Sequence, residues 1–173
     1  NFKFFFNKDI KDYDYIVVFE RLFQEIKSSV ALNKVIFVAG EPSSIKKYDK
    51  GFLDQFGHII TCQDRIKHRS KFLKSPGHSW FSQKTYDFLS STNKIKKSKL
   101  LSIVVSNKNF TKGHKDRLNF CLKLKECLGD KVDLFGRGFN DFDDKWDVIA
   151  PYKYSVAIEN SVEENWVTEK IGD

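Results

Sequence analysis

Residues Tyr152 to Lys170 read YKYSVAIENSVEENWVTEK. In the first half Tyr152, Tyr154, Val156 and Ile158 fall on alternate positions, the pattern of a strand whose two faces differ. The pattern stops at Glu159-Asn160, where a strand hands over to a loop. Thr168-Glu169-Lys170 then reads as a helix cap and first turn, with the Thr168 hydroxyl available to free backbone N–H groups. In open α/β sheets ligands lie beyond the carboxyl ends of the strands, and a helix start there favours negative charge. A strand, loop and helix start carrying Glu, Asn, Glu and Lys point to a sugar or phosphate site.

Upstream, the same alternation of strands and helices predicts parallel sheets. Asp14 to Phe19 (DYIVVF) is a short apolar run, Arg21 to Leu32 reads as a helix, and Val35 to Ala39 (VIFVA) is a strand apolar on both faces. It ends in Gly40-Glu41-Pro42, where glycine permits a sharp exit and proline removes a backbone donor. Phe56 to Cys62 (FGHIITC) gives a third strand. Periodicity then weakens through a loop at Ser75 to Trp80 and a polar linker, SSTNKIKKSK, at Ser90 to Lys99. A second α/β unit follows: strand Leu100 to Val105, loop Ser106 to Asn109, helix His114 to Leu128 and strand Val132 to Phe135. In the helix Leu118, Cys121, Leu122, Leu124 and Leu128 mark the apolar side, and Gly129 supplies the stop. The expected domains are residues 1–95 and 96–173. No internal repeat is evident.

The chain has 173 residues, 40% apolar and 15% aromatic, a globular composition. It contains no apolar run of membrane-spanning length and no secretory leader pattern. Methionine is absent and the chain stops at Ile171-Gly172-Asp173, so we expect a fragment of a longer chain. The net charge of +7 suits an anionic ligand or surface, while Lys94, Lys96, Lys97 and Lys99 read as a solvated run. Cys62, Cys121 and Cys127 lack paired or metal-type spacing, which favours a reducing compartment.

YKYSVAIENS followed by VTEK resembles the donor-binding signature of glycosyltransferase family 10, the α-1,3-fucosyltransferases, in a bacterial-type or viral-type fragment. The resemblance implies a GT-B architecture, two Rossmann-like domains facing a cleft, with the second truncated here. It implies an inverting transferase that moves fucose from GDP-fucose to a glycan hydroxyl, in lipopolysaccharide or protein glycosylation. The family also has a Ser-Asn strand end followed by an Arg and an aromatic, matched here by Ser106, Arg117 and Phe120 across a longer loop. In the family the residues matching Arg117 and Lys170 bind the diphosphate, and those matching Asn160 and Glu169 contact sugar hydroxyls. Trp166 stands where the family usually has Tyr, keeping an aromatic platform but losing a hydroxyl. VIFVAGEPSS matches the segment of the family's general base, making Glu41 the candidate to take the acceptor proton.

By themselves these residues say less: Arg117 reads as a solvent-facing residue on an amphipathic helix and Glu41 as a water-exposed turn glutamate. Two rival classes therefore stay open, a GT-B transferase using another nucleotide-sugar and a non-catalytic basic module for glycan or nucleic acid. The family implies no essential divalent metal, so Asp141-Phe142-Asp143 and Asp12-Tyr13-Asp14 read as turns. Gly136-Arg137-Gly138 lacks the third glycine of a dinucleotide fingerprint. His58, His68, His78 and His114 have no ligand spacing and read as surface residues. Expected partners are the nucleotide-sugar and a glycan acceptor, not nucleic acid, and peripheral membrane association is compatible with the basic charge. The expected location is the cytoplasm or inner membrane face, or the Golgi lumen in a eukaryote.

Overall fold

In the computed structural model, residues 2–8, 10–78, 81–92 and 94–172 are described. Trp80 of the expected loop, Asn93 of the expected linker and the terminal Asp173 lie outside them. The chain divides into two compact units, Asn1–Pro76 and Gly77–Asp173. The expected boundary at 95/96 falls later than this division, because residues 83–88 are tied into the second unit. There the Gln83 amide donates to Asp144 at 3.1 Å, Lys84 pairs with the same carboxylate at 3.2 Å, and Phe88 packs edge-on against Trp146.

The apolar runs of the first unit form a four-stranded parallel sheet in the order β1 (Ile16–Phe19), β2 (Val35–Val38), β3 (His58–Thr61) and β4 (Lys71–Leu73). The core on one face gathers Val18, Phe37, Ala39, Leu53, Phe56, Ile59 and Ile66. Phe37 is fully buried and meets the rings of Tyr48, Phe52 and Phe56 at 4.9–5.2 Å. A single-turn helix α1 (Lys50–Leu53), capped by Asp49, delivers Phe52 and Leu53 to that cluster.

The expected helix from Arg21 to Leu32 does not form; the only helical turn there is a 3-10 turn at Leu32–Lys34. Glu20 turns the chain with φ 66°, a left-handed conformation that non-glycine residues seldom adopt. The Ser28 hydroxyl accepts from the Val30 amide and bonds the Tyr13 hydroxyl, a local bond that competes with helix formation. Leu22, Phe23 and Ile26 consequently stay exposed, and a helix whose apolar stripe finds no cover is only marginally stable.

The second unit has a three-stranded parallel sheet in the order β6-β5-β7, with β5 (Lys99–Val104) central, β6 (Val132–Phe135) and β7 (Tyr152–Val156). Helices α2 (Tyr86–Ser91), α3 (Lys112–Leu128) and α4 (Lys145–Ile149) complete it. The core joins Ile103, Val105, Cys121, Val132 and Leu134. Two readings change here. Because β7 is an edge strand, Tyr154 is 65% exposed while Tyr152 is buried and bonds Asp133 of β6, so the expected apolar face is interrupted. On α3 the buried residues are His114, Arg117 and Cys121, whereas Leu122 and Leu128 are exposed. Among the described residues no helix is long and apolar enough to cross a membrane. The three cysteines are free thiols.

Candidate functional site

The second unit builds its site where the carboxyl ends of β5 and β7 meet the start of α3. β5 runs out through Val105 into the half-buried Ser106. Gly136 (φ 113°) and Gly138 (φ 89°) turn beneath this exit. A Cβ on Gly136 would stand 2.5 Å from the Val105 carbonyl oxygen, and one on Gly138 2.4 Å from the Asn107 side chain. The Gly-Arg-Gly motif is therefore a close-packing device, which is one reason glycine is needed at such turns.

Thr111 caps α3 by accepting the His114 backbone N–H. The first turn of the helix presses on the loop after β7, where a Cβ on Gly113 would lie 2.0 Å from the Asn160 carbonyl oxygen. This approach joins His114 to Asn160, whose Nδ2 lies 3.2 Å from His114 Nε2. One turn further along, Arg117 is 8% exposed, not solvent-facing as its helix position alone suggests. Burial lowers its pKa, opposed by Cys121 and by the Glu159 carboxylate, and its Nε has no partner among the described residues. An arginine stays charged through such a shift, so a buried cation remains with donors to spare.

Glu159 organises the rest of the loop. Its Oε1 accepts from the Thr168 amide at 3.0 Å and the Thr168 hydroxyl at 2.5 Å, and its Oε2 pairs with Lys170 at 3.4 Å. Lys170 also donates to Thr168 Oγ1 at 2.8 Å and pairs with Glu169 at 3.4 Å. Thr168 caps the 3-10 turn Glu169–Ile171, so the expected helix start is present as a single tight turn. Arg117, Asn160, Glu169 and Lys170 are thus brought to one place by Glu159, His114 and Thr168. Trp166 is buried elsewhere in the same loop, edge-on to His78 at 5.4 Å, with no described partner for its indole N–H. Phe120 is half exposed on α3.

The first unit holds Glu41 at the end of β2, half-buried, its carbonyl accepting from Gln63 Nε2 at 2.8 Å. Beside it stands a residue that no sequence pattern singled out. Glu20 accepts from the Gly40 amide at 2.7 Å and the Tyr48 hydroxyl at 2.6 Å through Oε2, and from Lys46 at 2.5 Å through Oε1. Burial, then the Glu20 hydrogen bond and charge, and also the Glu41 charge, hold the Tyr48 phenol well above its ordinary pKa, against a hydrogen bond with the Glu41 backbone that lowers it. The strained φ of Glu20 marks this carboxylate's special place, and it is invisible in the sequence. His114 did leave a trace, since it shares the i, i+3, i+7 spacing of Arg117 and Cys121. His58 and His68, expected at the surface, are half-buried and doubly hydrogen-bonded. Among the described residues no group of three or more His, Cys, Asp and Glu converges as a metal site.

The family model for glycosyltransferase family 10 (fucosyltransferase), C-terminal, matches residues 94–173. Residues 94–173 are thus similar to the C-terminal part of that family. No curated protein and no solved structure matches the chain. The family 10 segment contains every residue of the Arg117–Asn160–Lys170 cluster, and it begins shortly before β5. A glycosyltransferase of the fucosyltransferase family needs to hold a nucleotide-sugar, and this cluster combines two cations with sugar-type hydrogen-bonding groups.

Proposed function

We propose that the protein is an inverting fucosyltransferase of GT-B type, using GDP-fucose as donor and a glycan hydroxyl, such as that of a GlcNAc unit, as acceptor. The observation that carries this reading is the burial of Arg117 on α3, within the residues that match family 10, with Glu159 acting on both it and Lys170. A diphosphate leaving group gains negative charge as the glycosidic bond breaks, and two preorganised cations stabilise it without reorganising. Asn160 and Glu169 hydrogen-bond the sugar hydroxyls, and Ser106 lines the β5 end of the site. Glu41 takes the acceptor proton as the acceptor oxygen attacks the anomeric carbon, the bond from that carbon to the diphosphate oxygen breaks, and GDP departs.

The test is a donor screen with GDP-fucose, other GDP-sugars and UDP-sugars, followed by the Glu41→Gln variant with the best donor. GDP-fucose is the expected preference. Glu41→Gln should keep donor affinity while turnover falls by roughly two or more orders of magnitude, the typical contribution of a general base. Preference for a UDP-sugar would overturn the donor assignment. Unchanged turnover in Glu41→Gln would remove Glu41 from the chemistry.

A further inference from the structure

Around His114 two buried polar atoms have no hydrogen-bond partner among the described residues: Oδ1 of Asn160, whose Nδ2 lies 3.2 Å from His114 Nε2, and Nε of Arg117, whose charge acts on the His114 ring. A buried acceptor left open in an otherwise satisfied network commonly awaits a ligand. We propose that His114 is the positioning residue of Asn160, fixing its amide so that the oxygen, not the NH2 group, meets a hydroxyl of the bound donor sugar. This rests on the reading of Asn160 as a donor-sugar contact.

The argument is one of donors and acceptors. Asn160 Nδ2 can only donate, so His114 Nε2 at 3.2 Å has to accept and the ring proton has to sit on Nδ1. Nδ1–H then donates to Thr111 Oγ1 at 2.6 Å, and the same oxygen accepts the His114 backbone N–H. The helix cap thereby fixes the ring, and the ring fixes the amide. The opposite arrangement, with Nε2–H donating to a turned amide, would bury an NH2 group with two unpaired hydrogens in place of one open oxygen. It would also point that NH2 into a neighbourhood that Arg117 and Lys108 make cationic. The same two cations, with burial as the larger cause, keep His114 neutral, and the Phe110 ring at 5.1 Å covers it. Movement of the Asn160 backbone toward α3 is blocked, because Gly113 already meets its carbonyl.

The experiment compares GDP-fucose and GDP binding by calorimetry for the unsubstituted chain, His114→Phe, Asn160→Ala and the double variant. His114→Phe should weaken GDP-fucose about tenfold, the worth of one hydrogen bond to a neutral group, while GDP affinity stays level. In the Asn160→Ala background the His114 change should add nothing to that discrimination, since both act through one contact. Equal losses for GDP and GDP-fucose, or additive losses in the double variant, would overturn the proposal. A second measurement needs no variant: nitrogen-15 NMR of the imidazole should find His114 neutral with its proton on Nδ1. A proton on Nε2 would overturn the proposal even if GDP-fucose binds. If the unsubstituted chain binds no GDP-sugar, the donor assignment fails, and the NMR result still decides whether His114 orients Asn160.

Discussion

Thr168 is the residue whose replacement most cleanly tests the loop that holds Lys170. It is 8% exposed, so Thr168→Val keeps the shape and removes only the hydroxyl. Three bonds go with it: the 2.5 Å bond to Glu159, the 2.8 Å bond from Lys170 Nζ, and the 3.4 Å cap to the Lys170 amide. Two involve a charged group, and hydrogen bonds of that kind contribute roughly 1.5–3 kcal/mol each. Glu159 keeps the Thr168 backbone N–H and the ammonium of Lys170, so the charges are not stranded and the full sum does not apply. The added buried methyl returns about 0.8 kcal/mol. The expected net destabilisation is about 2–3 kcal/mol.

Thr168→Ser is the matched control. It retains every one of those bonds and loses one buried methyl, which costs about 1 kcal/mol. No tryptophan occurs in residues 1–76, so tryptophan fluorescence in a urea titration follows the second unit selectively. The midpoint should fall in the order unsubstituted, Ser, Val at a common slope. If Val proves as stable as Ser, the hydroxyl is not what holds the loop, and the account of Glu159 as its organiser is refuted.

His114 gives a pH dependence with a defined sign. Burial lowers its folded pKa below the ordinary value of about 6.5, so the unfolded chain takes up the proton first and stability is lost as pH falls below that value. Urea titrations between about pH 7.5 and pH 5 should show this slope, and His114→Gln should flatten it; the lowered carboxyls of Asp133 and Asp144 act only at more acid pH. Gly113→Ala would favour a helix interior by about 1 kcal/mol elsewhere. Here it should destabilise by about 1–3 kcal/mol in the same fluorescence assay, because its Cβ meets the Asn160 carbonyl oxygen at 2.0 Å. Tyr48→Phe removes one donor from the Glu20 carboxylate, and a circular-dichroism melt should register a loss of about 1.5–3 kcal/mol.

What the sequence disclosed follows a physical divide. Short apolar runs such as VIFV and SIVV are strands because both faces are covered, and that demand is written into the run itself. The Glu-Asn and Thr-Glu-Lys pair is equally local, so Asn160, Glu169 and Lys170 could be picked out before any coordinates. β4 is three residues, Lys-Phe-Leu, stabilised by pairing with β3 and not by its own pattern. α2 depends on Gln83, Lys84 and Phe88 reaching Asp144 and Trp146, some sixty residues away, a bond no window of sequence contains.

The helix Lys112–Leu128 shows the divide within one element. Counting hydropathy predicts a leucine stripe, yet the residues turned inward include a histidine and an arginine, while Leu122 and Leu128 face water. Their burial is stable only because the loop after β7 supplies what each needs: an amide for His114, and a carboxylate near Arg117. Hydropathy measures the cost of burying a charge alone; it is blind to a partner brought by another strand. The buried polar face of α3 is therefore a consequence of β7 lying beside β5, and a reading by period alone has to place it on the wrong side.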